Sequence, residues 1–145
     1  MNSHRLELTR VIDAPVDRVY NALTTPALMS DWVCPGDAKA GAIICEPRTG
    51  GQYSIEMKLN DGTALTVAGR YVEVVPGKRL VYTWKWAHEE EESQVTITLT
   101  ALRTGTEIRL LHEKLTSEAS CDGHRIGWKA CMEKLAVALE GKTGV

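Results

Sequence analysis

Residues 51–86 read GQYSIEMKLNDGTALTVAGRYVEVVPGKRLVYTWKW, and their period is two. Tyr53, Ile55, Met57 and Leu59 alternate with Ser54, Glu56 and Lys58, as expected of a half-buried strand with one apolar and one polar face. Asn60-Asp61-Gly62 and Pro76-Gly77-Lys78 supply residues suited to positive or fixed φ, so successive strands turn back on one another. The spacing predicts strands over Gln52 to Leu59, Ala64 to Val75 and Arg79 to Trp86. Links this short join antiparallel neighbours, since a parallel pair needs a crossover of a dozen residues or more.

The pattern extends both ways. Downstream, strands are expected near Gln94 to Ala101 and Thr106 to Leu115, joined through Arg103-Thr104-Gly105; upstream, one is expected near Ala42 to Glu46. Another alternating segment, Arg5 to Asp13, stops at Ala14-Pro15. Asp13 is the expected cap of a first helix carrying Val16, Val19, Tyr20 and Leu23, with Pro15 in its first turn. Leu28, Met29 and Trp32 predict a second short helix before Pro35-Gly36. After Leu115 the period becomes helical: Trp128, Cys131, Met132, Leu135, Ala138 and Leu139 form an apolar stripe expected to start at Ser120 or Asp122 and end at Gly141. The expected class is α+β, one domain over residues 1–145.

The chain has 145 residues with 17 Lys plus Arg against 19 Asp plus Glu, a net charge of −2, which gives no electrostatic footprint for nucleic acid or an anionic membrane. No apolar run approaches a membrane span, and the N-terminal segment lacks a signal-peptide pattern, so a cytoplasmic protein is expected. Cys34, Cys45, Cys121 and Cys131 show no metal-ligand spacing and read as buried thiols. No phosphate loop, dinucleotide fingerprint or nucleophile elbow is present, so no cofactor or metal is expected. The acidic run Glu89 to Glu92 reads as a solvated hairpin tip.

The punctuation resembles that of the START-like (SRPBCC) superfamily, which also holds the birch-allergen-like proteins and polyketide cyclases. Within it the chain looks like the AHSA-type branch, named after the homologue of the activator of the heat-shock-protein-90 ATPase. Ile12-Asp13-Ala14-Pro15, Ala22-Leu23-Thr24, Trp32, Gly50-Gly51 with Tyr53, Gly69 with Tyr71, Pro76-Gly77-Lys78-Arg79-Leu80, Trp84, Trp86, Gly105-Thr106, His112, His124 and Gly127-Trp128 carry the resemblance. It implies a helix-grip fold: a curved antiparallel sheet of about seven strands around a long C-terminal helix, with an elongated cavity between them. Alternation sets Tyr53, Met57, Tyr71, Tyr82, Trp84, Trp86 and His112 on the inner face, while His124 and Trp128 share a helix face and Trp32 lies near the expected mouth.

Those ten residues are the candidate ligand-binding set, and an amphipathic or aromatic small molecule is the expected partner. Phe is absent while Trp and Tyr each occur four times, and a wall of Tyr and Trp brings polar tips as well as apolar area. Alternative readings are a cofactor-free cyclase, hydrolase or isomerase using His112 and His124 as an acid/base pair, and a co-chaperone-like interaction module.

Overall fold

The structure, a computed structural model, describes residues 4–140. β1 (His4–Ile12) is followed by α1 (Val16–Thr24) and α2 (Pro26–Met29). Then come β2 (Lys39–Cys45), β3 (Gln52–Lys58), β4 (Ala64–Val75), β5 (Arg79–Trp86), β6 (Glu92–Leu102), β7 (Gly105–Leu115) and α3 (Glu118–Glu140). The strands form one seven-stranded sheet in the order β1-β7-β6-β5-β4-β3-β2, and every neighbouring pair is antiparallel. This is the α+β helix-grip architecture. The meander runs from β2 to β7, and β1 closes on β7, so α1 and α2 carry the chain from one sheet edge to the other.

Local chemistry explains the element ends. Pro15 is the N-cap of α1, with its carbonyl accepting from Val19 N–H at 3.2 Å, so the proline precedes the first helical residue. Asp13 does not cap the helix as expected; its backbone N–H donates to Glu140 on α3 at 3.0 Å. The cap of α3 is likewise neither Ser120 nor Asp122: Ser117 Oγ accepts from Ser120 N–H at 3.0 Å, which places the helix start upstream. Gly141, the expected stop of α3, lies outside the described residues. The β4–β5 turn places Gly77 at φ 77°, a left-handed conformation that a Cβ disfavours.

Two irregularities shape the inner face. The β4–β5 register moves from Tyr71↔Tyr82 to Glu73↔Val81, so Val72 is an extra residue that bends the strand and turns Val74 toward the core. At the end of β7, pairing with β1 shifts between His112 and Leu115, and Lys114 takes φ 66°. Leu59, expected on the inner face, falls just past β3 and is half-buried.

The core lies between the inner face of the sheet and the helices, where Leu6, Ile12, Leu80, Ile97, Ile108, Leu110, Leu115 and Leu135 are each 2% exposed or less. α3 lies along the β1–β7 edge, held by Arg10–Glu133 at 2.6 Å and by Arg18 donating to the Leu139 carbonyl at 3.1 Å. No helix among the described residues is long and apolar enough to cross a membrane.

Lys114 offers a direct check on the β7 bulge. A left-handed lysine costs about 1 kcal/mol relative to glycine, so Lys114→Gly is expected to raise stability by up to that amount in urea denaturation. A loss of 1 kcal/mol or more would show that this residue is not left-handed in solution.

Candidate functional site

β5 presents Tyr82, Trp84 and Trp86 on its inner face by strand alternation, and these rings divide the interior into a filled end and an open end. At the filled end Tyr53, Tyr71 and Tyr82 pack with centroids 5.2 to 5.8 Å apart. Tyr53 donates to the Thr83 carbonyl at 2.5 Å, and the Tyr71 hydroxyl meets Cys45 Sγ at 3.1 Å. The backbone comes close there: a Cβ on Gly69 would run into the Thr83 carbonyl, so only glycine fits opposite Tyr53. Burial holds the Tyr53, Tyr71 and Tyr82 phenols above their ordinary pKa. The void left beside Trp32 and these tyrosines is about 20 Å³, room for roughly one water molecule.

The open end is a cleft of about 710 Å³ between the β5–β6 hairpin tip and the N-terminal half of α3. Trp84, Trp86 and Trp128 wall it, with Met57 and Cys131 at depth and Val33 and Pro35 opposite. The Val33–Pro35 wall is tied to α3 by Lys134, whose ammonium donates to the carbonyls of Cys34 at 2.6 Å and Gly36 at 2.7 Å. On α3 the cleft is bordered by Ser120, Gly123, His124, Gly127, Trp128 and Cys131, which recur at helical spacing. The two glycines keep that face low. A Cβ on Gly123 would meet nothing within 4 Å, and one on Gly127 would just touch Pro35 at 4.0 Å.

Of the ten candidate residues, Met57, Trp84, Trp86, His124 and Trp128 border this cleft. Trp32, Tyr53, Tyr71 and Tyr82 do not; they border the small void, because side chains of their size fill the space that periodicity alone leaves open. His112 borders neither and is fully buried behind Trp84 and Trp128.

The two imidazoles lie 4.7 Å apart, centroid to centroid, and share the three indole N–H groups between them. Trp128 Nε1–H donates to His112 Nδ1 at 3.0 Å. That fixes the proton on His112 Nε2, which donates to Ser93 Oγ at 2.7 Å, and Ser93 in turn donates to the Trp84 carbonyl at 3.2 Å. Burial, reinforced by the neighbouring His124, lowers the His112 pKa to about 3, the nearby Glu91 opposing. His124 is fixed in the opposite tautomer: its Nδ1–H donates to the Ser120 carbonyl at 2.8 Å. Its Nε2 accepts from Trp86 at 3.1 Å and from Trp84 at 3.3 Å. All four ring nitrogens are engaged.

The acidic run is only partly a solvated tip. Glu91 reaches across to the β7–α3 junction, where Oε2 accepts from both the N–H and the hydroxyl of Thr116 at 2.7 Å and Oε1 accepts from Ser120 Oγ at 2.9 Å. Burial pushes the Glu91 pKa up, but the hydrogen bonds from Thr116 and Ser120, with His124 nearby, outweigh it and hold it below the ordinary value. Sequence reading missed this anchor because its partners lie 25 and 29 residues away. Glu89 and Glu90 stay exposed on the rim.

The cysteines are free thiols. Burial, with Cys34 nearby, pushes Cys131 up to about 12, and burial also raises Cys34 and Cys45, so none of these three is an activated nucleophile. Among the described residues no cluster of three or more His, Cys, Asp or Glu is arranged to hold a metal.

Comparison with solved structures finds the same architecture over nearly the whole chain. A protein from Chromobacterium violaceum is 29% identical with a TM-score of 0.87, over 94% of this chain and 96% of that one. One from Rhodobacter sphaeroides is 26% identical with a TM-score of 0.85, over 94% and 92%. The AHSA1 protein of Silicibacter pomeroyi shares the fold with a TM-score of 0.85 at 22% identity, over 96% and 99%. No curated protein matches. The model of the family described as Activator of Hsp90 ATPase homolog 1-like protein matches residues 13–140. With the sheet, the C-terminal helix and that match in agreement, the chain belongs to the Activator of Hsp90 ATPase homolog 1-like family, the AHSA-type branch of the START-like fold.

Proposed function

We propose that the protein binds a small amphipathic aromatic molecule in the cleft between the β5–β6 tip and α3, with Trp84, Trp86 and Trp128 as walls. The observation that carries this reading is the division of the interior: the tyrosine end is filled while the tryptophan end leaves about 710 Å³ open, the size range of small-molecule sites. Indole walls suit a flat ring, and the polar rim suits a ligand with one hydrophilic end.

Binding is supported over acid/base catalysis by the histidines. A general base needs a free lone pair within reach of its substrate, and both imidazoles have theirs occupied by indole N–H groups. Their role is to turn three N–H donors away from the cleft, so that the walls offer ring surface.

Calorimetric titration with 2-naphthylmethanol tests the reading. One site is expected, with a Kd on the order of 10–100 µM, equivalent to about 0.5 kcal/mol per heavy atom and within the range for small ligands. Absence of heat at millimolar probe, together with unchanged tryptophan resonances, would overturn it.

A further inference from the structure

Among the polar side chains that border the cleft, most donors are already engaged, and the balance is one-sided. The indole N–H groups of Trp84, Trp86 and Trp128 are spent on His124 and His112. The hydroxyls of Thr116 and Ser120 are spent on Glu91. The Glu91 carboxylate also sits at the positive N-terminal end of α3, where an anionic ligand would otherwise find its best partner. Ser117 keeps a hydroxyl proton, having used its oxygen to accept from Ser120 N–H.

Among the described residues no lysine or arginine borders the cleft. The nearest ammonium on the hairpin, Lys85, is bound to the carbonyls of Glu89 at 2.7 Å and Trp86 at 3.4 Å. Apart from the Ser117 hydroxyl, the side chains left to a ligand offer acceptor and π surface. Glu89 and Glu90 stand exposed on the rim, Glu89 with His88 at 3.6 Å beside it and Glu90 with no ion-pair partner among the described residues.

We infer that the cleft selects cationic ligands, organic ammonium compounds carrying an aromatic or apolar body, over neutral and anionic molecules of the same shape. This rests on the reading of the cleft as a binding site and specifies its ligand class. An ammonium group brings the donors that the walls lack, can lie against indole faces, and is attracted by the two rim carboxylates. A carboxylate or phosphate meets one hydroxyl and three glutamates, and stripping its water there has no compensation. Cation–π contact and carboxylate attraction together are expected to give an ammonium about tenfold in affinity over an alcohol of the same skeleton.

The test uses three probes of one skeleton, 2-naphthylmethylamine, 2-naphthylmethanol and 2-naphthoate, titrated by calorimetry at pH 7.5 into the intact protein. The amine is expected to bind about tenfold more tightly than the alcohol, with the carboxylate weakest. Raising NaCl from 20 to 500 mM should weaken the amine severalfold and leave the alcohol within twofold. In a Glu89→Gln/Glu90→Gln variant the ratio of amine to alcohol affinity should fall to threefold or less. Equal affinity for amine and alcohol, tightest binding of the carboxylate, a salt-independent amine, or a ratio untouched by the double substitution each overturns the cationic preference while leaving the cleft reading standing. Failure of all three probes overturns both.

Discussion

His112→Leu is expected to lower stability at pH 7 by roughly 3 kcal/mol, although it nearly keeps side-chain volume. The imidazole is fully buried and is the acceptor for the Trp128 indole N–H, so its removal strands a buried donor, which costs about 1–3 kcal/mol. Ser93 loses its second partner as well, keeping only the Trp84 carbonyl. Adding Trp128→Phe to His112→Leu removes the stranded N–H, so the double variant should lose less than the sum of the two single changes.

The same residue sets a pH dependence whose sign follows from its depressed pKa. The unfolded-state imidazole takes its proton near 6.5, as a free histidine does, whereas the folded one stays neutral down to about 3. Between those values the unfolded state binds more protons, so this contribution is fully present above about pH 6.5 and is lost as pH falls. The slope is about 1.4 kcal/mol per pH unit for one group. Urea denaturation should therefore show the native protein losing about 2 kcal/mol more than His112→Leu between pH 7 and pH 5. Parallel pH profiles for the two would place a charged or exposed imidazole at position 112.

The second large effect is on binding. Gly123→Leu is expected to weaken probe binding at least tenfold, in a protein that is no less stable. Position 123 is exposed on the cleft-lining face of α3, where a Cβ meets no atom within 4 Å, so the added side chain occupies space a ligand would need. Glycine in a helix interior costs about 1 kcal/mol relative to good helix formers, so the same change should raise the urea midpoint. Gly123→Ala should take the stabilisation and leave part of the affinity. Such a pair separates ligand exclusion from misfolding. If Gly123→Leu bound naphthyl probes as well as the native chain, the ligand would not lie against α3.

Much of the fold is legible in residues 51–86, because alternation and turn chemistry together determine strand order in a meander. Strand ends are less so. β2 begins at Lys39 and β6 at Glu92, where polar residues still find ladder partners that periodicity does not register. The Val72 bulge was invisible for a related reason: Val72, Val74 and Val75 are chemically alike, and only pairing with β5 decides which one turns inward.

The site was legible by face and illegible by occupancy. Alternation identified the inward rings of β3, β4 and β5, yet it carries no information on whether facing side chains meet. Tyr53, Tyr71 and Tyr82 do meet, which moves them from ligand wall to core. The placement of His112 on the inner strand face and of His124 on the helix face of Trp128 followed from strand and helix spacing. Their saturation by indole N–H groups did not, since it depends on the orientation of three rings on β5 and α3. Glu91 shows the same limit: within its sequence neighbourhood it is one of four consecutive glutamates, and only the fold brings Thr116 and Ser120 to it.

The central claim is that a ligand enters the tryptophan end of the interior and is excluded from the tyrosine end. The protein carries its own control. Trp86 borders the cleft alone, Trp84 and Trp128 border both the cleft and the small void, and Trp32, which donates to the Ala22 carbonyl at 2.8 Å, borders the void alone. Four indole N–H cross-peaks in an 15N-labelled sample, assigned by single Trp→Phe variants, report both ends at once. Titration with 2-naphthylmethylamine is predicted to shift the peaks of Trp84, Trp86 and Trp128 and to leave that of Trp32 in place. A shift of Trp32 with Trp86 in place, or four unmoved peaks at millimolar probe, would contradict the account.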